Sequence, residues 1–291
     1  MEHFRTKIIA CLCLLVMLCA CNQEETPREP SLIVEGWIDV DNYPVVLLHK
    51  SYVFDAHKTE GSSNTLEDII EQQLIPFGKV TISDGEKELV MTGRMDTSYF
   101  PPYTYSTIGM KGEEGKTYTI TAKYDNWYAT ATTTIPARAK FDSIRVIPIN
   151  ENSVQIMGYM SGVSPTLPSY YALFMRRLED KQFLLCPLGV FSNDKFTPEG
   201  RLEIAIYNPF VKNEETFLPT TCFNKNATEQ NYLLKISRLD AVSYHYWSEY
   251  SAQLLTWGIV FVPVYTNLPG NIVGGIGMWS GMGSSSYLVS F

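Results

Sequence analysis

Thr117-Tyr118-Thr119-Ile120-Thr121-Ala122-Lys123-Tyr124 decides the fold class. Tyr118, Ile120, Ala122 and Tyr124 fall on one side of an extended chain, and Thr117, Thr119, Thr121 and Lys123 fall on the other. A period of two is the signature of a strand with one face on a core. Asp125-Asn126 then turns the chain into a second β-rich run, Trp127 to Thr134. Working outward, Lys79 to Ser83 and Lys87 to Thr92 flank Asp84-Gly85, a dipeptide that favours tight hairpins because both residues tolerate positive φ. Leu32 to Ile38 and Pro44 to Lys50 read as further strands joined by a turn at Asp41-Asn42. Between them and the hairpin lies an insertion, Ser51 to Pro76. Its centre, Thr65 to Leu74, has Leu66, Ile69, Ile70 and Leu74 at helical spacing, with Thr65 and Asp68 placed as a capping box. Six or seven short strands with polar turns predict an immunoglobulin-like or transthyretin-like β-sandwich over residues 32–137.

Residues 138–291 are also β-rich. Phe141 to Pro148, Ser153 to Met160, Tyr170 to Arg177, Gln182 to Cys186, Leu202 to Tyr207 and Tyr232 to Ser237 read as strands, and Asn208 to Asn231 as a long loop. One helix stands out, Asp240 to Leu255. Asp240 is its N-cap, and Val242, Tyr246, Tyr250 and Leu254 form an i, i+4 ladder. That tyrosine face suits packing on a sheet better than ligand binding. The glycine-rich stretch Gly274 to Gly283 allows a bulge or close strand approach, and Tyr287, Val289 and Phe291 alternate as a final strand. The expected class is mainly β: a sandwich, then a second β-rich domain with one helix.

The N-terminus reports location. Arg5 and Lys7 precede an apolar run, Ile8 to Leu18, about half as long as a membrane-spanning helix needs. Leu18-Cys19-Ala20-Cys21 follows as a lipobox, so residues 1–20 read as a lipoprotein signal and Cys21 as the lipidated first residue of a tether, 21–31. Two or three acyl chains anchor stably where one does not. Asn22-Gln23-Glu24-Glu25 lacks the Asp of inner-membrane retention. Gln23 followed by Glu24 and Glu25 resembles the surface-export signal of Bacteroidota lipoproteins, which implies an outer-membrane anchor facing the exterior rather than the periplasm.

The chain of 291 residues carries a net charge of −8, and losing Glu2, Arg5 and Lys7 with the signal makes the mature chain one unit more acidic. Nucleic acid, which needs a basic footprint, is excluded as a partner. Of six cysteines, only Cys186 and Cys222 remain beyond the signal and lipid site. Export permits one disulfide between them, with two separate buried thiols as the alternative.

No motif supports catalysis. Ser280 lacks the glycine frame of a nucleophile elbow, since Met278 stands at the first position. Gly275 and Gly277 begin a dinucleotide pattern that fails at Ser280. His49, His57 and His245 form no metal-ligand spacing, and Asp39, Asp41 and Asn42 begin a calcium loop that Tyr43 interrupts. No catalytic, cofactor-binding or metal-binding residue is assigned, and no cofactor is expected. Tyr99, Phe100, Tyr103 and Tyr105 form the best candidate binding surface, for a glycan or peptide ligand. The alternative is that this run packs on the neighbouring domain.

Leu32-Ile33-Val34-Glu35-Gly36-Trp37-Ile38 after a lipobox, Val80-Thr81-Ile82-Ser83-Asp84, and Asn271-Ile272-Val273-Gly274-Gly275-Ile276-Gly277 stand in an order that resembles the Bacteroidota lipoproteins grouped as domain-of-unknown-function family 4249. The resemblance implies an outer-membrane lipoprotein working beside a TonB-dependent receptor. The expected function is therefore a non-catalytic binding or accessory subunit of nutrient uptake, with a structural or adhesive surface lipoprotein as the alternative.

Overall fold

Strands alternate through the chain as β1 (Leu32–Asp39), β2 (Val45–Lys50), β3 (Lys79–Ser83), β4 (Glu88–Val90), β5 (Thr92–Met95), β6 (Tyr103–Ser106), β7 (Thr117–Tyr124), β8 (Trp127–Thr134), β9 (Ser143–Pro148), β10 (Ser153–Met160), β11 (Tyr170–Arg177), β12 (Leu184–Ser192), β13 (Leu202–Ile206), β14 (Cys222–Asn224), β15 (Asn231–Leu239) and β16 (Ile276–Ser290), with helix α1 (Ala241–Thr256) before the last strand. The computed structural model describes residues 30–51, 73–211, 218–227, 230–256 and 268–291. The signal segment, the lipidation site Cys21 and nearly all of the helix expected over Thr65 to Leu74 lie outside the described residues. No described helix is long and apolar enough to cross a membrane.

The protein is mainly β, built from sandwiches. One eight-stranded sheet, in the order β12-β11-β15-β16-β1-β2-β6-β5, forms the backbone of the molecule. Two smaller sheets pack on it: β4-β3-β7-β8, and a second in which β10 pairs β9, β13 and β14. The alternation of β7 survives intact, with Tyr118, Ile120 and Ala122 buried and Thr117 and Lys123 exposed. Those side chains meet Val34, Ile38, Val46 and Leu48 from the large sheet in the first core. Val154, Ile156, Leu173, Met175, Leu234 and Ile236 fill the second core.

β16 joins the two sandwiches. Its first half pairs β1 in parallel, Ile33 with Ile276 through Asp39 with Met282. Its second half pairs β15 antiparallel, Arg238 with Gly283 through Asn231 with Ser290. A division at 137/138 therefore marks where the chain moves to the second core, but residues 276–282 return to complete the first. Trp279 is the anchor: fully buried, it sits opposite Gly36, and its indole Nε1–H donates to the Tyr118 carbonyl of the facing sheet at 3.0 Å. A Cβ on Gly36 would lie 2.7 Å from the Val45 carbonyl oxygen and 3.1 Å from the Trp279 ring, so only glycine leaves the room.

Several sequence expectations change at these crossings. The run Lys87 to Thr92 is two strands, because the chain leaves the small sheet at buried Met91 and enters the large one as β5. The final strand starts earlier than Tyr287, at Ile276, while the glycines within it serve close strand approach as expected: a Cβ on Gly281 would lie 3.0 Å from Thr134 backbone. The expected loop from Asn208 to Asn231 contains strand β14.

Candidate functional site

The face of the large sheet turned away from both sandwiches carries the unusual chemistry. Alternation along β1 sends Leu32, Val34 and Ile38 into the first core and leaves Glu35, Trp37 and Asp39 on this other face. β16, in register, adds Met278, Ser280, Met282 and Ser284. Helix α1 covers part of it. Asp240 caps the helix as expected, its Oδ1 accepting from the Ser243 N–H at 2.7 Å. Val242 does not face the sheet but is 45% exposed. The buried stripe runs instead through Ser243, Tyr246, Trp247, Tyr250 and Leu254. Ser280 donates to Ser243 at 2.8 Å, Tyr246 donates to Glu35 Oε1 at 3.0 Å, and Trp247 meets Phe174 edge-on at 5.2 Å between centroids.

Between sheet and helix lies a cavity of about 1040 Å³. That is the size of a pocket for one small molecule. Its floor carries a buried ion pair, Lys235 Nζ to Asp39 Oδ2 at 2.9 Å, with 10% and 7% of the two side chains exposed. The same ammonium lies 4.7 Å from the Phe174 ring centroid and 4.8 Å from that of Phe183. Burial pushes the Glu35 carboxyl above its usual range, against the smaller opposing effect of the Tyr246 hydroxyl. Two residues that line the cavity each bury a polar atom without a hydrogen-bond partner among the described residues: Asp39 Oδ1 on the sheet and Trp247 Nε1 on the helix, neither of which is accessible from the cavity. A buried polar atom left unpaired costs about 1–3 kcal/mol.

The sheet curls around this space. Asp96 follows edge strand β5, and Lys181 precedes the opposite edge strand β12, yet the two side chains approach to 3.9 Å. Seven strand spacings would hold the edges of a flat sheet about 34 Å apart. The loop after β5 brings Tyr99 to within 6.0 Å of Trp37, centroid to centroid. Arg94 and Lys181 stand at the mouth, with 68% and 74% of their side chains exposed, sharing Asp96 at 3.8 and 3.9 Å.

The aromatic run singled out in the sequence is divided by this geometry. Tyr99 and Phe100 line the cavity. Tyr105 is buried in the first core, where its hydroxyl accepts from the Gly78 N–H at 2.9 Å and donates to the Ile75 carbonyl. The Tyr103 hydroxyl donates to the Pro76 carbonyl at 2.8 Å. These two fasten the strand to the chain that precedes β3, so the four do not form one surface. Cys186 and Cys222 are both free, so the possible disulfide is absent, and of the two thiols only Cys186 is buried. Cys186 points from β12 into the second core, whereas Cys222 alternates with buried Phe223 and faces outward from β14. A second, more open hollow lies among Asn150, Asn152, Asn224 and Asn226, where Asn150 Oδ1 and Asn224 Oδ1 accept from the backbone of their own turns and Asn226 Nδ2 donates across to Asn152 Oδ1 at 2.9 Å.

Sequence reading missed Glu35, Asp39, Lys235 and Trp247. The available signal was a charge within an apolar strand, as in Leu233-Leu234-Lys235-Ile236. Buried charges need partners, so such positions point to a contact elsewhere in the chain.

No curated protein matches the chain. Among solved structures, a segment of two fibronectin type III domains from chicken tenascin is 11% identical, covers 72% of this chain and 91% of that one, and superposes with a TM-score of 0.20. A family described as Domain of unknown function (DUF4249) matches residues 21–287, and the chain belongs to it.

Proposed function

We propose that the protein is a non-catalytic binding subunit, anchored through lipid on Cys21 to the outer membrane, facing the exterior and serving a TonB-dependent uptake system. The observation that carries the binding role is the cavity between the curled sheet and α1, lined by the rings of Trp37, Tyr99, Phe174 and Trp247 with Arg94 and Lys181 at its mouth. A concave space lined mainly by aromatic side chains with a few charged groups is the usual form of a small-molecule site. Supporting the location are the lipobox Leu18 to Cys21 and the acidic tether behind it. The uptake role draws on what the lipoprotein resemblance implies.

Extraction of the C-terminally tagged protein from native membranes, with Cys21 intact, tests this reading. A stoichiometric outer-membrane barrel in the eluate is the expected result. Recovery of the lipoprotein alone, under conditions that preserve other barrel complexes, would refute the uptake role and leave independent surface binding or adhesion.

A further inference from the structure

We infer that the cavity takes a fused-ring carboxylate, with a rigid apolar body of several rings inside and its anionic head at the mouth beside Arg94 and Lys181. This assignment rests on reading the cavity as a ligand site.

Three features select that chemistry. First, the interior offers a ligand few hydrogen bonds, because its polar side chains are paired with one another. Ser280 bonds Ser243 at 2.8 Å, Ser284 bonds Ser237 at 2.7 Å, Tyr246 bonds Glu35 at 3.0 Å and Lys235 bonds Asp39 at 2.9 Å. A sugar would bury hydroxyls against groups already engaged, with a penalty for each one left unpaired, and an apolar body incurs none. Second, the surface a ligand can reach is rich in rings. Trp37 on β1, Trp247 and Tyr250 on α1, and Tyr99 and Phe183 beside the two edge strands are all partly exposed. Such rings receive flat apolar faces in offset or edge-on contact. A cavity of about 1040 Å³ stands at the top of the range for small-molecule sites, so it has room for several fused rings rather than one. Third, the lining is basic within an acidic chain. Five basic side chains line the cavity against three acidic ones, Glu35, Asp39 and Asp41, although the whole chain has a net charge of −8. Asp39 holds Lys235, Asp41 holds Arg138, and the carbonyls of Leu178 and Asp180 hold Arg176. The other two, Arg94 and Lys181, are exposed at the mouth and lie 3.8 and 3.9 Å from the one carboxylate they share, Asp96. Those distances are beyond hydrogen bonding, which leaves both cations able to receive a second carboxylate.

Equilibrium dialysis of the full-length lipidated protein, held in a nonionic amphipol, tests the assignment. The opposite chamber contains the amphipol alone, so that partition of a probe into the polymer cancels. The probes are pyrene-1-carboxylate, pyrene-1-carboxamide, benzoate, dodecanoate and maltotriose. Pyrenecarboxylate is expected to bind. Exchanging its carboxylate for the carboxamide, or its ring system for the single ring of benzoate or the chain of dodecanoate, is expected to weaken binding at least about tenfold. The double variant R94Q/K181Q changes only exposed side chains. It is expected to lose at least about tenfold for pyrenecarboxylate and little for the carboxamide. S286W, which places an indole in the cavity from an exposed position, is expected to abolish binding of both. Equal affinity for the acid and the carboxamide, or an R94Q/K181Q protein that binds the acid as the wild type does, would overturn the anionic head. Benzoate or dodecanoate binding as tightly as pyrenecarboxylate would overturn the fused-ring body. Binding of maltotriose alone would overturn the whole ligand class. Each of these results leaves the cavity a binding site when S286W abolishes the binding seen. Binding of no probe, or binding that S286W leaves intact, would overturn the assignment, and the co-purification experiment then decides separately whether the uptake reading stands.

Discussion

Replacing Lys235 by Met isolates the buried charge at the heart of the cavity floor. Asp39 and Lys235 are only 5% and 8% exposed, and the described residues supply Asp39 with no other cation. Removing the ammonium leaves a carboxylate with both oxygens unpaired, a change that costs about 3–5 kcal/mol at buried sites. The lost cation–π contacts with Phe174 and Phe183 act in the same direction, by about 1–2 kcal/mol. A methionine sulfur against the same rings restores up to about 1.5 kcal/mol of that. The net expectation for K235M is a loss of about 3–5 kcal/mol in urea-induced unfolding, with the slope on denaturant unchanged. Because the cost comes from the stranded carboxylate, the double variant D39L/K235M should recover at least about 2 kcal/mol. A K235M protein within about 1 kcal/mol of the wild type, or a double variant no more stable than the single one, would refute the reasoning.

Other perturbations follow from the same geometry. Trp279→Phe removes the inter-sheet hydrogen bond to Tyr118 and opens a void in the first core, so it should cost about 2–4 kcal/mol by denaturant titration. Gly281→Ala drives a methyl against Thr134 backbone at 3.0 Å and should cost about 1–3 kcal/mol in the same assay. Glu35→Gln keeps an acceptor for Tyr246 but removes a carboxyl whose folded pKa is raised by burial. Such a group weakens the fold as pH rises above its unfolded pKa, so the variant should gain stability at pH 7–8, a gain that fades as pH falls below the unfolded value of about 4.3. His49 runs the other way. Burial lowers its pKa from 6.5 to about 4, so the unfolded chain takes up the proton first and stability falls as pH drops from 6.5 toward 4. Thermal unfolding across that range should show the decline, and His49→Gln should flatten it.

What was legible in the sequence was local. Period-two alternation in Thr117–Tyr124, the turn at Asp84-Gly85 and the N-cap at Asp240 each depend on neighbours a few residues away, and each appears in the structure. The end of the joining strand was legible in the alternation of Tyr287 and Val289, but its joining role was not, because the parallel pairing of Ile33 with Ile276 leaves no signature in either segment alone. The close strand approach expected of the glycine-rich stretch is present at glycines 277, 281 and 283, where backbone comes up from β1, from the end of β8 and from the chain after it, but which segments approach was not legible. Val242 fitted the helical ladder equally well in sequence. The face that Ser243 presents to Ser280 won instead, since the helix sits over a partly polar sheet surface rather than an apolar core. The site itself depends on a contact between residues 196 positions apart, Asp39 and Lys235, which only the fold brings together. Two of the four aromatics chosen as a surface, Tyr99 and Phe100, do line the cavity. Tyr103 and Tyr105 bind neighbouring backbone through their hydroxyls, a use that composition cannot distinguish from ligand contact.

The most direct measurement is native mass spectrometry of the protein purified from its own membranes, compared with Ser286→Trp. Ser286 lines the cavity from an exposed position opposite Lys235 on β16, so an indole there fills the space without entering either core. A bound small molecule of a few hundred daltons on the wild type, absent from the equally folded variant, is the expected result. A wild-type protein that carries no ligand, and that also matches the variant in affinity for every probe tried, would contradict a binding role for the cavity.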